Sequence, residues 1–304
     1  MKQNMRSENE MLELILNFAR LDDRIRLVLM NGSRVDPSAT HDQLSDFDIV
    51  YFVSNIKSFT KDESWIETNF GKILILQKPD DWFSHPYDYD SNQPFAYLIQ
   101  FLDGNRIDLT LVDIENIGNY TSEARGEPGR ILLLKDSIHG VTDYDNFDKF
   151  VVQLPSKKEF MDTCNEFYWL APYVSKGTIR KELIYVKSIM ENVQFEQLYK
   201  MLNWSAATKS KTPIRTGQFS KYLHRYLKSK EYEGLINCYA GADFEDIWEK
   251  EINALKLFHR HAQIVAGFMD FPYDNKLESS MILFLESQKN YRKSSEISAI
   301  LETQ

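Results

Sequence analysis

The sequence predicts an α+β protein, with an N-terminal mixed-sheet domain followed by a C-terminal helical-bundle domain. Three observations carry that expectation. Strand-length apolar runs dominate before residue 150. Helix-period patterns dominate after Pro155. Two capping-box signatures, Ser7 with Glu10 and Ser156 with Glu159, open a helix in each half. The expected boundaries are 1–152 for the sheet domain, 153–291 for the helical domain and 292–304 for a polar tail.

The elements follow in order. A helix runs from Ser7 through about Arg20. Strands are expected near 25–31, 47–53, 72–77, 95–102 and 106–112, with a short apolar run at Ile131 to Leu134. Asp103-Gly104-Asn105 between two apolar runs is a hairpin signal. Asp80 to Pro94 reads as a loop. After Pro155 a long helix passes through Phe160, Phe167 and Leu170, and Pro172 is expected to kink or interrupt it. Further helices are expected at 193–208, 217–228, 231–239, 243–269 and 277–290.

Composition sets limits on function. At 304 residues with 43% hydrophobic content, the chain can bury a sizeable core. A net charge of −9 argues against a nucleic-acid surface, which needs clustered Lys and Arg. It suits a small cationic partner, although moderate acidity also serves solubility alone. Cys164 and Cys238 sit in no C-x-x-C pair, so zinc and disulfide scaffolds are not expected. No apolar run approaches the ~20 residues of a membrane span. The N-terminus lacks the apolar core of a signal peptide, so the reading is cytoplasmic.

The chemistry concentrates in one stretch. An apolar strand runs into Asn31-Gly32-Ser33-Arg34, and a second strand begins Asp46-Phe47-Asp48-Ile49-Val50. Side chains alternate along a strand, so Asp46 and Asp48 share a face with Cα atoms roughly 6–7 Å apart. Phe47, Ile49, Tyr51 and Val53 point the other way. Two carboxylates on one face repel unless a cation lies between them, and oxygen ligands of this kind suit Mg²⁺. Gly32 and Ser33 offer backbone N–H groups and a hydroxyl that can hold a phosphate. Metal carboxylates beside a phosphate cradle point to phosphoryl or nucleotidyl transfer. Asp108 lies in the middle of a strand that otherwise reads as buried, and needs a metal or a base such as Arg106 as partner. Arg34 can reach a phosphate, or pair with Asp36 or Asp42. Tyr168, Trp169 and Tyr173 either line a pocket or belong to the core. His259 and His261, two apart on a helix, share no face and read as non-ligands.

Gly32-Ser33, Asp46-x-Asp48 and a later mid-strand Asp108 resemble the pattern of the polymerase-β-like nucleotidyltransferase superfamily. Longer segments are similar to the aminoglycoside 6-adenylyltransferases, also called streptomycin adenylyltransferases. These are Met5-Arg6-Ser7-Glu8, Asp23-Arg24-Ile25-Arg26-Leu27-Val28, Asp46 to Val53, Asp103 to Leu111 and Cys164-Asn165-Glu166-Phe167. The resemblance covers about Met5 to Tyr273 and makes the first domain a nucleotidyltransferase catalytic domain and the second a substrate-binding one. It implies Mg²⁺-dependent transfer of AMP from ATP to an aminoglycoside hydroxyl, with release of pyrophosphate and inactivation of the antibiotic. The acceptor implied is the 6-position of streptomycin. Asp46, Asp48 and Asp108 become metal-binding and catalytic residues, with Asp108 as ligand, general base or both, and Glu166 the next acid to consider as base. Gly32, Ser33, Arg34 and Lys176 become nucleotide-binding residues, with a solvated helix-end lysine as the other reading of Lys176. The partners implied are ATP and a small cationic aminoglycoside, with no nucleic acid and no membrane, in a monomer or weak dimer. The alternative is a nucleotidyltransferase of the same superfamily acting on a protein or another small molecule.

Overall fold

The computed structural model describes residues 4–89, 91, 93–120, 128–135 and 142–301. The chain separates into two units, Met1–Lys149 and Phe150–Gln304.

In the first unit, α1 (Glu8–Leu21) starts at the Ser7 capping box, in which Ser7 and Glu10 satisfy each other's backbone donors. β1 (Ile25–Met30) and β2 (Phe47–Val53) follow. Two short helices, α2 (Lys57–Thr60) and α3 (Ser64–Phe70), lie where no helix is expected. Neither carries a side-chain N-cap, so the sequence gives little local signal for them. β3 (Ile73–Gln77), β4 (Phe95–Phe101), β5 (Arg106–Asp113) and β6 (Arg130–Leu134) complete a six-stranded sheet in the order β3-β4-β5-β2-β1-β6. The Asp103-Gly104-Asn105 turn joins β4 and β5 as an antiparallel hairpin, with Gly104 at φ +97°. Among the described residues only the central β2–β5 pair is parallel, so the sheet is mixed.

Alternation along β2 sorts the two faces. Phe47, Ile49, Tyr51 and Val53 join Met11, Ile15 and Phe59 in the core under the helices. Val50 and Phe52 join a smaller cluster with Leu27, Leu29 and Val112 on the other face. Asp48 precedes these on that second face, which is where strand periodicity puts it.

The N-terminal segment is strapped to the hairpin turn. Arg6 Nε lies 2.5 Å from Asp103 Oδ2 and its Nη2 3.2 Å from Oδ1, while Arg6 Nη1 donates to the Phe70 carbonyl. Asn105 Nδ2 returns a bond to the Arg6 carbonyl at 3.1 Å. Burial opposes the charge on Asp103, but the Arg6 and Asn105 hydrogen bonds outweigh it and hold the carboxyl well below the usual carboxylate range.

The second unit is helical: α4 (Lys157–Ile179), α5 (Leu183–Ser188), α6 (Phe195–Lys209), α7 (Ser229–Ile236), α8 (Phe244–Met269) and α9 (Leu277–Leu301). α4 begins at the Ser156–Glu159 capping box and runs through Pro172 without interruption, so of the expected kink or interruption the interruption does not occur. The buried Phe167, Tyr168, Leu170, Ala171 and Val174 flank the proline, so tertiary packing overrides its local penalty. A π-helical turn, Ile189–Gln194, links α5 to α6. The helix expected at 217–228 is instead two 3₁₀ turns, Gln218–Ser220 and Leu223–Arg225, separated from helical geometry by positive φ at Phe219 and Ser220. The polar tail expected from 292 continues α9 as far as Leu301, and residues 302–304 lie outside the described residues.

This core holds a buried acid. Glu251 accepts a 2.7 Å bond from Gln194 Nε2, and its second oxygen has no hydrogen-bond partner. Burial pushes its carboxyl up to about 7, so near neutral pH it carries a proton for much of the time. His261 is also buried and bonds Ser205 Oγ at 2.8 Å. Burial lowers it to about 4, and it stays neutral.

Asp103→Asn is expected to destabilise the sheet unit by about 2–3 kcal/mol above pH 5, because the partly buried Arg6 loses its counter-charge. The folded pKa of Asp103 is depressed, so its contribution is present above about pH 4 and fades as pH falls through the folded value. Denaturant melts of wild type and variant at pH 7 and at pH 3 check this. The gap should narrow at the lower pH.

Candidate active site

Backbone geometry brings the predicted residues of the first unit together. The parallel register sets Asp48 beside Asp108, Val50 beside Thr110 and Phe52 beside Val112. The two carboxylates therefore come from adjacent strands, on the sheet face away from α1. Asp46 precedes β2 by one residue. Asn31 at the end of β1 donates its backbone N–H to the Asp48 carbonyl at 2.9 Å, which latches the Gly32–Arg34 turn onto the start of β2.

Gly32 lies directly against Asp48. Its φ is +74°, and a Cβ there would fall 1.9 Å from Asp48 Oδ2. No side chain fits, and the left-handed backbone adds strain for anything but glycine. The turn and the carboxylate are thus held in contact by the absence of a side chain.

Asp48 bears the electrostatic load. Burial first, then the charges of Asp108 and Asp46, push its carboxyl up to about 6, while Arg106 and Lys149 pull the other way. Asp46 and Asp108 share a cation. Arg106 Nε is 2.6 Å from Asp108 Oδ1 and 3.5 Å from Asp46 Oδ2, and Arg106 Nη2 donates to Asp108 Oδ2 at 2.8 Å. This is a bidentate fork on Asp108 with one edge toward Asp46. Among the described residues, no group of three His, Cys, Asp or Glu side chains stands ready as positioned to hold a metal ion. The donor set nonetheless fits Mg²⁺. The carboxylates are hard oxygen ligands, the charges of Asp108 and Asp46 raise the proton affinity of Asp48, and a dication would relieve that crowding.

Arg34 is tied to the scaffold. It donates to the carbonyls of Ser45 at 2.7 Å and Asp46 at 3.1 Å, pairs with Glu8 at 3.1 Å, and stacks over the Phe47 ring at 3.7 Å. Its side chain is only 2% exposed. The contribution visible here is to position the backbone of Asp46. Ser33 is half-buried in the turn beside Gly32.

Lys176 belongs to the second unit, exposed on α4, with Nζ 5.6 Å from the Tyr173 ring centre. Tyr168 is core and bonds the Tyr273 hydroxyl at 3.0 Å, whereas Trp169 and Tyr173 are exposed. A cavity of about 490 Å³ in this unit is lined by Glu159, Asp162, Glu166, Gln197, Lys200 and Trp204. Of these, sequence reading singled out Glu166 for the site. Arg106 was legible as a partner for Asp108, because two positions along a strand share a face. Lys149 lies far along the chain from both strands and gave no signal.

Comparison with known proteins agrees over most of the length. The chain matches the family described as Streptomycin adenylyltransferase over residues 5–288. It is 34% identical over 269 residues to an aminoglycoside 6-adenylyltransferase of Bacillus subtilis (strain 168), covering 88% of this chain and 93% of that one. It is 33% identical over 287 residues to the Campylobacter jejuni enzyme of the same name, covering 91% and 96%. The crystal structure of an aminoglycoside 6-adenyltransferase from Bacillus subtilis aligns with a TM-score of 0.45 at 30% identity, over 94% of this chain and 99% of that one. Among the described residues, no helix is long and apolar enough to cross a membrane.

The raised carboxyl of Asp48 makes a sign-definite expectation. Its folded value of about 6 lies above the unfolded value, so ionising it costs stability as pH rises from about 4 through 6, and the full cost persists above. Asp48→Asn should therefore raise the melting midpoint in EDTA at pH 8 by roughly 3 °C or more, and leave it unchanged near pH 4. Calorimetric melts at the two pH values check this. A lower midpoint at pH 8 would contradict the crowding described here.

Proposed function

The chain belongs to the streptomycin adenylyltransferase family, and we propose that it transfers AMP from ATP to the 6-hydroxyl of streptomycin in a Mg²⁺-dependent reaction. The family makes it a nucleotidyltransferase with a nucleotide co-substrate and an aminoglycoside acceptor. The observation that carries the finer reading is the in-register pairing of Asp48 with Asp108, with Gly32 closed against Asp48. The names of the relatives support the position of transfer. The acidic cavity at Glu159, Asp162 and Glu166, with Trp204 in its wall, supports a cationic acceptor.

Asp46, Asp48 and Asp108 are the residues that would hold Mg²⁺. When bound, the ion supplies charge neutralisation for the triphosphate and lowers the proton affinity of the acceptor hydroxyl. Gly32 and Ser33 bring backbone N–H groups and a hydroxyl to the phosphates without a side chain between them and Asp48. Lys176 adds a positive charge toward the nucleotide. Asp108 accepts the proton of the acceptor hydroxyl as its oxygen attacks the α-phosphorus. One P–O bond forms to the acceptor, the bond from the α-phosphorus to the bridging oxygen breaks, and pyrophosphate leaves with that electron pair. The products are adenylylated acceptor and pyrophosphate.

Pyrophosphate release from ATP, measured with and without streptomycin, tests the reading directly. Release that depends on streptomycin supports it. Release that depends on another acceptor, or on none, overturns the acceptor.

Two variants test the roles. Asp48→Asn should abolish turnover while the protein stays folded, and near wild-type turnover would remove Asp48 from the metal set. Asp108→Asn should lower kcat by a factor on the order of 10² or more, the usual range for a lost general base. Its ATP dissociation constant, measured by calorimetry, should move far less than in the Asp48 variant.

A further inference from the structure

We propose that Arg106 is the resident cation of the acid site, and that a divalent metal enters by exchange: the guanidinium leaves Asp108 as the metal arrives. This rests on reading Asp46, Asp48 and Asp108 as the metal-binding carboxylates.

The geometry points to exchange rather than addition. Arg106 and Asp108 are two positions apart on β5, so their side chains leave the same face of the strand. The guanidinium fork covers both oxygens of Asp108, at 2.6 and 2.8 Å. The fork takes one lone pair on each Asp108 oxygen, on the edge of the carboxylate that faces both oxygens at once, so a metal that approaches by that same edge displaces at least one of the two bonds. The same Nε faces Asp46 Oδ2 at 3.5 Å, so one cation serves the two acids that flank Asp48. The side chain of Arg106 is 38% exposed, which leaves its end a path into solvent.

Two consequences follow. Metal alone binds weakly, because it must break a charge-assisted, bidentate pair before it gains its ligands. Nucleotide strengthens metal binding for a reason beyond the oxygens it contributes: its phosphates give the released guanidinium a new anionic partner. Arg106 is thus a positioning residue. It keeps three like charges on one sheet face while the site is empty of metal, and it couples metal entry to nucleotide entry.

The test measures Mn²⁺ binding to the full chain by electron paramagnetic resonance of the free ion, at pH 8, for wild type, Arg106→Lys and Arg106→Gln. Each is measured with and without a non-hydrolysable ATP analogue, and melting curves confirm that each variant is folded. The expected result without nucleotide is a Mn²⁺ dissociation constant lower by about tenfold or more in both variants, which corresponds to about 1.4 kcal/mol. The enhancement of Mn²⁺ affinity by the analogue should shrink in both.

Lysine keeps the charge but lacks the planar fork. If Arg106→Lys binds Mn²⁺ as wild type does and only Arg106→Gln gains affinity, Arg106 acts through its charge at a distance and the exchange is overturned. Unchanged or weaker Mn²⁺ binding in both variants overturns it as well. Asp48→Asn separates the underlying reading. If it binds Mn²⁺ as tightly as wild type, the carboxylates are not the metal site and both readings fall. If it loses the ion while the Arg106 variants show no gain, the metal site stands and the exchange alone is wrong.

Discussion

Repulsion between carboxylates across the parallel β2–β5 pair is the constraint that organises the first unit's candidate site. Asp48 and Asp108 are partners in the sheet register, and Asp46 approaches along the same face. A sheet does not relieve this by moving apart, because its strands are fixed by backbone hydrogen bonds. The relief comes from the surroundings. Gly32 withholds a side chain and lets the turn touch Asp48, Arg106 grips Asp108 and reaches toward Asp46, and Lys149 lowers the proton affinity of Asp48 from a distance. The core on the far face, with Phe47, Ile49 and Tyr51 packed under α1, keeps this register from slipping. A one-residue slip would send the carboxylates into that core.

Much of this was legible because period-two alternation is a local rule. Asp46 and Asp48, or Arg106 and Asp108, can be assigned to a face by counting. The Asp103-Gly104 turn announced the hairpin, and both capping boxes announced their helices. What stayed hidden was non-local or local to a weak signal. No rule of spacing reports that β2 pairs with β5 in parallel, since the strands between them lie elsewhere in the sheet. Arg34 is the clearest case. Its neighbours Asp36 and Asp42 suggested a short-range pair or a phosphate, yet its guanidinium is held by Glu8 and by the carbonyls of Ser45 and Asp46. Pro172 misled for the opposite reason: its local penalty is real, and the packing of Phe167, Tyr168 and Val174 overrides it.

The second unit handles buried polarity differently. Its stacked Phe167 and Phe258, with ring centres 3.9 Å apart, build an aromatic core into which Glu251 is sealed. That acid has a single neutral donor, Gln194, in place of a cation, and it answers by holding its proton. The π-turn that ends at Gln194 places the amide in the core at the cost of less regular helix geometry. One chain thus shows two treatments of a carboxylate: a shared guanidinium for the half-buried acids at the sheet, and a raised proton affinity for the fully buried one in the helical core.

The strap from Arg6 to Asp103 has a practical meaning for handling the protein. Arg6 bonds the hairpin turn and Glu8 bonds Arg34, which in turn holds the carbonyl of Asp46. The placement of the acid that precedes β2 is therefore linked to Glu8, the first residue of α1. A truncation placed after Glu8 would leave every described strand and Asp46, Asp48 and Asp108 in the sequence, yet remove one clamp on the β4–β5 turn, Arg6 to Asp103, and one on the loop that presents Asp46, Glu8 to Arg34. Vector designs that treat the first eight residues as a disposable leader would be altering the frame of the site, and tags belong ahead of Met5 or at the other end of the chain.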